Sequence, residues 1–424
     1  MSSEWPLISV GEIAGDWKGS MAVGPFGSRM KADLYVPSGV RVIRGNNLSG
    51  GREPEGAYVY VSEETADALA SCCLKPGDLV FPHRGNIGEV GITPNDGLRY
   101  MLSTSLMKVS PDRTKVEPLF LMYFFKSKVG RDALLMNASQ VGTPGIATPL
   151  KSLRGIQLNL PPLTAQRQIA EMLSKIDDRI TLLRETNATL EAIAQALFKS
   201  WFIDFDPVRA KMEGRAPEGM DEATAALFPE GLDGSELGMV PKGWRVGELQ
   251  NLLVLQRGFD LPSDDRVPGD FPIIAASGPS GTHKKSMAKA PGVITGRSGV
   301  LGRVFLELED YWPLNTTLWV KEFKAASPCY AYELLRLLDL KSFNAGSAVP
   351  TLNRNHLHGL RYLLPDPVCV EAYEAIAIQL HNRARSNLQQ ALSLSAIRDT
   401  LLPRLISGQL RIPEAEAQIE EATA

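Results

Sequence analysis

The chain has 424 residues, 44% hydrophobic and 22% charged, with a formal net charge of −3. Such a composition fits a water-soluble protein with several cores and excludes a chain that is basic throughout. No run approaches the roughly 20 apolar residues that span a bilayer, and the opening MSSEWPLISVGE lacks the basic and apolar parts of a signal peptide, so a cytoplasmic location is expected.

Residues 1–160 read as a first module. Short runs rich in Val, Ile, Leu and Tyr (VRVIRG, AYVYVS, DLVFPH, LMKVS) lie between Gly, Pro, Asn and Ser turns and predict strands. The string PLFLMYFFKSKVGRDALLMN that follows them has helical periodicity, so the module is α+β. Residues 161–205 predict one long helix, 206–240 a linker, 241–365 a second module and 366–412 a second long helix. Residues 413–424 predict a disordered tail.

The second module repeats the first. FPHRGNIGEV (Phe81–Val90) aligns with TGRSGVLGRV (Thr295–Val304), LSTSLM (Leu102–Met107) with LNTTLW (Leu314–Trp319), and LRGIQLNLP (Leu153–Pro161) with LHGLRYLLP (Leu357–Pro365). A period this long means two homologous domains rather than a solenoid.

Along the first helix the apolar positions Ile169, Leu173, Ile176, Ile180, Leu183, Leu190, Ala194, Leu197 and Trp201 alternate steps of four and three, with Asn187 completing the series. That is a heptad seam, and it demands a partner helix. The second helix offers Tyr373, Leu380, Ala384, Ala391, Leu394, Leu401 and Leu405, a less regular seam, and an intramolecular antiparallel pair is expected. A buried Asn187 would fix register, so that leucine there should raise stability and loosen the spacing of the modules; the alternative is an asparagine facing solvent on a loosened turn.

Catalytic chemistry finds no support. Asn159-Leu160-Pro161-Pro162 interrupts the loop an amino-methyltransferase needs, no acidic pair with a following Glu-x-Lys marks a nuclease, and no phosphate-binding loop is present. Four cysteines form no C-x-x-C pair, and His356-x-His358 reads as a solvated loop, so neither metal nor cofactor is expected.

Residues 1–155 carry 17 Lys+Arg against 15 Asp+Glu, and residues 240–365 carry 15 against 11, leaving −9 for the remainder. Two modestly basic modules on acidic connectors follow. The glycine loops RGNIG and RSGVLG place cations beside backbone that could approach phosphate, or they are simply tight strand turns. Candidate DNA contacts are Ser28, Arg29, Lys31, Arg44, Asn46, Asn47, His83, Arg84 and Asn86 in the first module. In the second they are His283, Lys284, Lys285, Arg297, Ser298 and Arg303.

The order module, long helix, module, long helix, together with LPPLTAQRQIAEMLSKIDDRI, ALFKSWFIDFDPVRAK, VPKGWRVGEL and GPFGSRMKADLYVPSGVRVIRGNNL, resembles the specificity subunits of type I restriction-modification systems. The resemblance covers nearly the whole chain, and Gln166-Arg167 and SWFIDFDPVRAK are its most specific parts. It implies two homologous α+β target-recognition domains separated by an antiparallel coiled-coil pair, a pseudo-two-fold repeat that reads a bipartite, asymmetric site in double-stranded DNA. It further implies a non-catalytic subunit that docks two methyltransferase subunits and is joined by restriction subunits. The second helix departs from the pattern, since DPVCVEAYEAI lacks the Gln-Arg pair. A scaffold whose domains bind protein is the rival reading.

Overall fold

The repeat in the sequence is a repeat of strand topology. The computed structural model describes residues 5–26, 29–48, 50–139, 144–346 and 348–423, the last four by backbone alone. Its contacts divide into two units, one of residues 1–183 and 389–424 and the other of residues 184–388. In the first unit an antiparallel sheet has the order Met21–Val23, Leu106–Val109, Leu79–Pro82, Gly91–Ile92; in the second the order is Leu253–Arg257, Thr317–Phe323, Gly292–Gly296, Val304–Glu307. The inner strands Leu79–Pro82 and Gly292–Gly296 are buried at every residue, as strands covered on both faces must be.

Each lobe also closes the same way. Leu7–Ser9 pairs with Gln157–Asn159, and Arg245–Glu248 pairs with Arg361–Leu364, so in each lobe a strand ahead of the main sheet meets the strand just before a long helix. A second sheet is inserted in each lobe. It has five strands in the first unit and three in the second, with Val40–Ile43 parallel to Tyr100–Leu102 and Phe271–Ala275 parallel to Trp312–Pro313.

Four helices carry the remaining architecture: α1 (Pro118–Lys126), α2 (Leu163–Lys199), α3 (Pro328–Leu337) and α4 (Pro367–Ile406). The apolar string 118–137 is two helices rather than one, because the Ser127 hydroxyl accepts from Gly130 N and starts a new helix, Lys128–Leu135. In α1 every residue from Phe120 to Phe125 is buried, so this helix lies inside the lobe.

A buried helix start must pair its free N–H groups, and in both units a long helix supplies the acceptor. Gln166 on α2 is fully buried; its Oε1 accepts from Glu117 N at 2.9 Å while its Nε2 donates to Pro161 O at 2.8 Å. In the second unit Glu374 on α4 accepts from Cys329 N in the first turn of α3 at 2.8 Å. The missing Gln-Arg pair of the second helix is thus replaced about one turn further along by a carboxylate suited to a helix N-terminus. Arg167 is exposed and reaches Glu117 at 3.8 Å.

Both long helices give one part to each unit. Within the first unit Ile176, Ile180 and Leu183 of α2 pack with Ala391 and Leu394 of α4, while Ile169 and Leu173 enter the lobe core with Leu401 and Leu405. Within the second, Leu190, Leu197 and Leu380 are half-buried, and the seam runs into an aromatic core where Phe198 and Phe202 lie about Tyr330 and Tyr373. In both units the paired segments run antiparallel. Trp201, expected on the seam, sits in a π-helical turn, Ser200–Asp204, with its ring against Phe228.

Asn187 finds two partners in the second unit. Its Nδ2 donates to Ala384 O at 2.8 Å, and Asn387 Nδ2 donates to Asn187 Oδ1 at 2.9 Å. Asn387 occupies the step between Ala384 and Ala391 and is only 2% exposed, so the second seam looks irregular in sequence merely because this position is polar.

Two segments differ from expectation. Residues 206–240 are not a loose linker: helices Asp206–Met212 and Glu222–Ala226 and the hairpin Leu232–Ser235/Gly238–Pro241 are present, and Val208, Phe228 and Val240 join the second core. The expected disordered tail, 413–424, instead contributes to helix Ile412–Thr423. Ala415 is fully buried in the first core, with Ile412 and Ile419 packed against it.

The asparagine pair reverses the expected sign of one substitution. Asn187→Leu alone leaves the buried Asn387 amide without its acceptor and should cost about 1–3 kcal/mol, whereas replacing both asparagines by leucine should restore or exceed the parent stability. Denaturant unfolding of the three proteins checks this. A single variant more stable than the parent would show that the amide pair does not hold the seam.

A second prediction concerns pH. Glu333 of α3 is fully buried, its Oε2 has no hydrogen-bond partner among the described residues, and burial pushes its carboxyl up to about 7 against the opposing charge of Arg336. Because the folded state disfavours the ionised form, stability is greatest below the ordinary value of 4.5 and falls as pH rises towards about 7. Glu333→Gln should flatten that part of the profile, read as unfolding midpoints at about pH 5 and about pH 8.

Candidate nucleic-acid interface

The glycine loop of the first unit leaves strand Leu79–Pro82 and is held by its backbone. His83 N donates to Ser105 O at 2.9 Å, Ile146 N to His83 O at 2.9 Å and Gly85 N to Pro144 O at 2.9 Å. Gly85 and Gly88 have φ of 85° and 101°, a region that side chains with a Cβ rarely adopt. With the backbone occupied, the side chains of Arg84 and Asn86 are left exposed. The His83 ring is half-buried and donates to Thr104 O at 3.2 Å; burial pushes its pKa down.

The second unit builds the same turn. Arg297 N donates to Thr316 O at 2.8 Å, Leu352 N to Arg297 O at 2.8 Å and Gly299 N to Pro350 O at 2.9 Å, with φ of 88° and 85° at Gly299 and Gly302. The bonds place Arg297 where His83 stands and Ser298 where Arg84 stands, as the alignment requires. The two arginines are therefore not equivalent. Arg84 is exposed with no ion pair among the described residues, while Arg297 is half-buried and its Nη1 donates to Asn315 O at 3.4 Å. Asp260 lies near it, and its carboxyl is held below the usual range first by a hydrogen bond from Asn315, then by Arg257, with the Arg297 charge contributing.

In each unit the residue after the strand that opens the sheet passes close to the turn before the neighbouring strand. A Cβ on Gly24 would stand 1.7 Å from Ser103 O, and one on Gly258 would stand 2.2 Å from Leu314 O. Only glycine permits either approach.

The other expected contacts divide by exposure. Arg29, Lys31, Asn46, Lys284 and Lys285 are exposed, and none of the four cations forms an ion pair among the described residues. Arg44 is half-buried, with Nη2 donating to Ala57 O at 3.2 Å. Arg303 is exposed, yet its Nη1 donates to Ser277 O at 2.6 Å and its guanidinium lies 5.7 Å from the Phe305 ring centre. Ser298 is half-buried, and Ser28 lies outside the described residues.

Two expected contacts point inward. Asn47 is 1% exposed because its side chain organises its own loop, accepting from Arg44 N and donating to Glu55 O and Ala57 O. His283 is 5% exposed; its Nδ1 accepts from Val267 N at 3.1 Å and its ring stands edge-on to Trp312. Each is an anchor that holds exposed neighbours, Asn46 in one case and Lys284-Lys285 in the other. His358 is also engaged, accepting from Leu255 N at 2.9 Å. No group of three His, Cys, Asp or Glu among the described residues could hold a metal ion.

Within the first unit the Arg44–Asn47 loop and the glycine loop come together. A shallow cavity of about 370 Å³ is lined by Leu48, Gly50, Asn86, Ile87, Glu89 and Arg131. Arg131, which reaches Glu89 at 3.0 Å, was not a sequence candidate, nor was Lys126, which lines a neighbouring cavity with it. Both stand on helices far in the chain from the loop at Leu48 and Gly50, and no local spacing marks them.

The comparisons with known proteins agree on one family. Residues 30–192 match the type I restriction modification DNA specificity domain. The chain is 38% identical over 161 residues to the type I restriction enzyme HindI specificity subunit of Haemophilus influenzae, a match spanning 37% of this chain and about a third (34%) of that protein. It is 24% identical over 396 residues to the MjaIX specificity subunit of Methanocaldococcus jannaschii, covering 84% of each. In fold it is similar to the crystal structure of the type I restriction-modification S subunit from M. genitalium, with a TM-score of 0.60 and 16% identity over 95% of this chain and 96% of that one. No helix among the described residues is long and apolar enough to cross a membrane.

Proposed function

We propose, from the premise that residues 30–192 belong to the type I restriction modification DNA specificity domain family, that the chain is the non-catalytic specificity subunit of a type I restriction-modification complex. The observation that carries this reading is the doubled glycine-loop turn, built by the same backbone bonds in both units and flanked in each by exposed cations. Two copies of one DNA-facing device suit a bipartite site, and the difference between Arg84 and Arg297 suits an asymmetric one.

In this reading each lobe meets one half of the duplex site. Arg29, Lys31, Arg84, Lys284 and Lys285 meet phosphates or base edges, with Asn46 and Asn86 as neutral hydrogen-bonding groups. Methyl transfer and cleavage belong to partner subunits: two methyltransferase subunits, and the restriction subunits that join them.

The test is DNA binding by the complex with its methyltransferase subunits. Arg84→Ala should cost about 1–3 kcal/mol if the arginine reads a guanine edge, or weaken all duplexes alike and lower the salt slope by about one unit if it meets phosphate. Arg297→Ala should have the smaller effect, because Arg297 is already engaged within its lobe. Unchanged affinity and salt dependence for both variants would place the DNA-facing surface elsewhere. Methyl transfer from S-adenosylmethionine by the chain alone would refute the non-catalytic role, and DNA binding without salt dependence would favour a protein-binding scaffold.

A further inference from the structure

Polar groups that were not among the candidate contacts converge within the first unit. The Lys126 ammonium, at the end of α1, donates to Gly50 O at 2.8 Å and Gly51 O at 2.6 Å. Arg52 Nη2 lies 2.7 Å from Asp178 Oδ1 on α2. The neighbouring Asp177 accepts at both oxygens, from the Tyr123 hydroxyl of α1 at 2.7 Å and from Arg398 Nη1 of α4 at 2.7 Å. Lys126, Tyr123, Asp177 and Arg398, together with Glu89 and Arg131, line a cavity of about 180 Å³.

The loop they hold follows Arg44–Asn47 directly. Its backbone is fixed from one side by Lys126 and from another by Ile92 N, which donates to Arg52 O at 3.0 Å. Holding a loop with a half-buried ammonium carries a desolvation cost: no carboxylate stands within ion-pair distance of Lys126 among the described residues, and burial pushes its pKa down. An apolar contact would pack the loop as tightly, but it would not set the direction of two successive carbonyls. The arrangement favours one geometry over mere attachment.

We propose that Lys126, Arg52 and Asp178 are positioning residues for DNA readout by the first lobe. They fix residues 50–52 to α1 and α2, so that Asn46 is presented to DNA in a single conformation. The proposal rests on the function proposed above. None of these three side chains touches the nucleic acid; each acts through the loop.

Hydrogen exchange on the full chain and half-site discrimination by the complex test it together. In Lys126→Met, amide exchange in residues 44–52 should speed up about tenfold, the order expected when one charged hydrogen-bonding anchor of a loop is lost. Exchange in α2 and the melting temperature should stay as in the parent. Discrimination against duplexes altered in one half of the site should fall about tenfold, with non-specific affinity and salt slope unchanged. Lys126→Arg, which can still donate to both carbonyls, should recover most of the loss, and Asp178→Asn should show a weaker form of it. Unchanged exchange in 44–52, or equal loosening of the whole lobe, overturns the proposal. Faster exchange with unchanged discrimination also overturns it while leaving the specificity-subunit reading intact. Absence of DNA binding by the unaltered complex would sink that reading, and this proposal with it.

Discussion

Each lobe depends on a buried helix whose first N–H groups must find an acceptor away from water. Gln166 meets that need for α1 and Glu374 for α3, and in both cases the acceptor comes from a long helix rather than from the lobe's own sheet. An unmet buried N–H costs on the order of 1–3 kcal/mol, so neither lobe can be separated from its helix without loss. The sheet, the glycine loop and the turn beneath it are then stacked on α1 or α3, and the exposed cations inherit their positions from that stack.

Most of this architecture was legible because periodicity and repetition do not depend on distant partners. The strands at Val40–Ile43, Val59–Val61, Leu79–Pro82 and Leu106–Val109 follow from composition and turn residues, and the two glycine loops aligned residue for residue. The seam from Ile169 to Leu183 followed from heptad spacing alone. What the sequence hid was polar. Asn387 and Arg398 fall on the second seam by spacing, but their polarity made that seam look broken; both are paired across the helices, by Asn187 and Asp177. The tail was misread for a related reason, since Ala415 is a small residue in an acidic stretch and only the core it fills reveals its role.

The candidate interface was legible by residue type but not by direction. His283 and Asn47 carry the right chemistry and point inward, because in a loop a histidine or asparagine is as useful for satisfying backbone as for meeting a ligand. Asn46 and Lys284-Lys285 are exposed beside these anchors, which spend their own hydrogen bonds on the chain. The departure of the second lobe is electrostatic as well: where the first has the exposed Arg84, the second has Ser298, with Arg297 one position earlier in the field of Asp260. Two lobes of one topology thus present different charge patterns, a difference that alignment of glycines alone does not show.

The core of the first lobe is assembled from both ends of the chain. Val10, Phe81 and Phe120 share it with Leu401, Leu402, Leu405, Leu410 and Ala415. During synthesis the N-terminal segments emerge first, and an ordinary N-terminal domain would fold as they do. This one keeps an apolar slot open until residues 401–415 leave the ribosome, while the second lobe already holds all of its own residues, 184–388. The lobe that is made first is therefore the one completed last, and a chain truncated anywhere before residue 401 would lose the core of the lobe furthest from the cut in sequence.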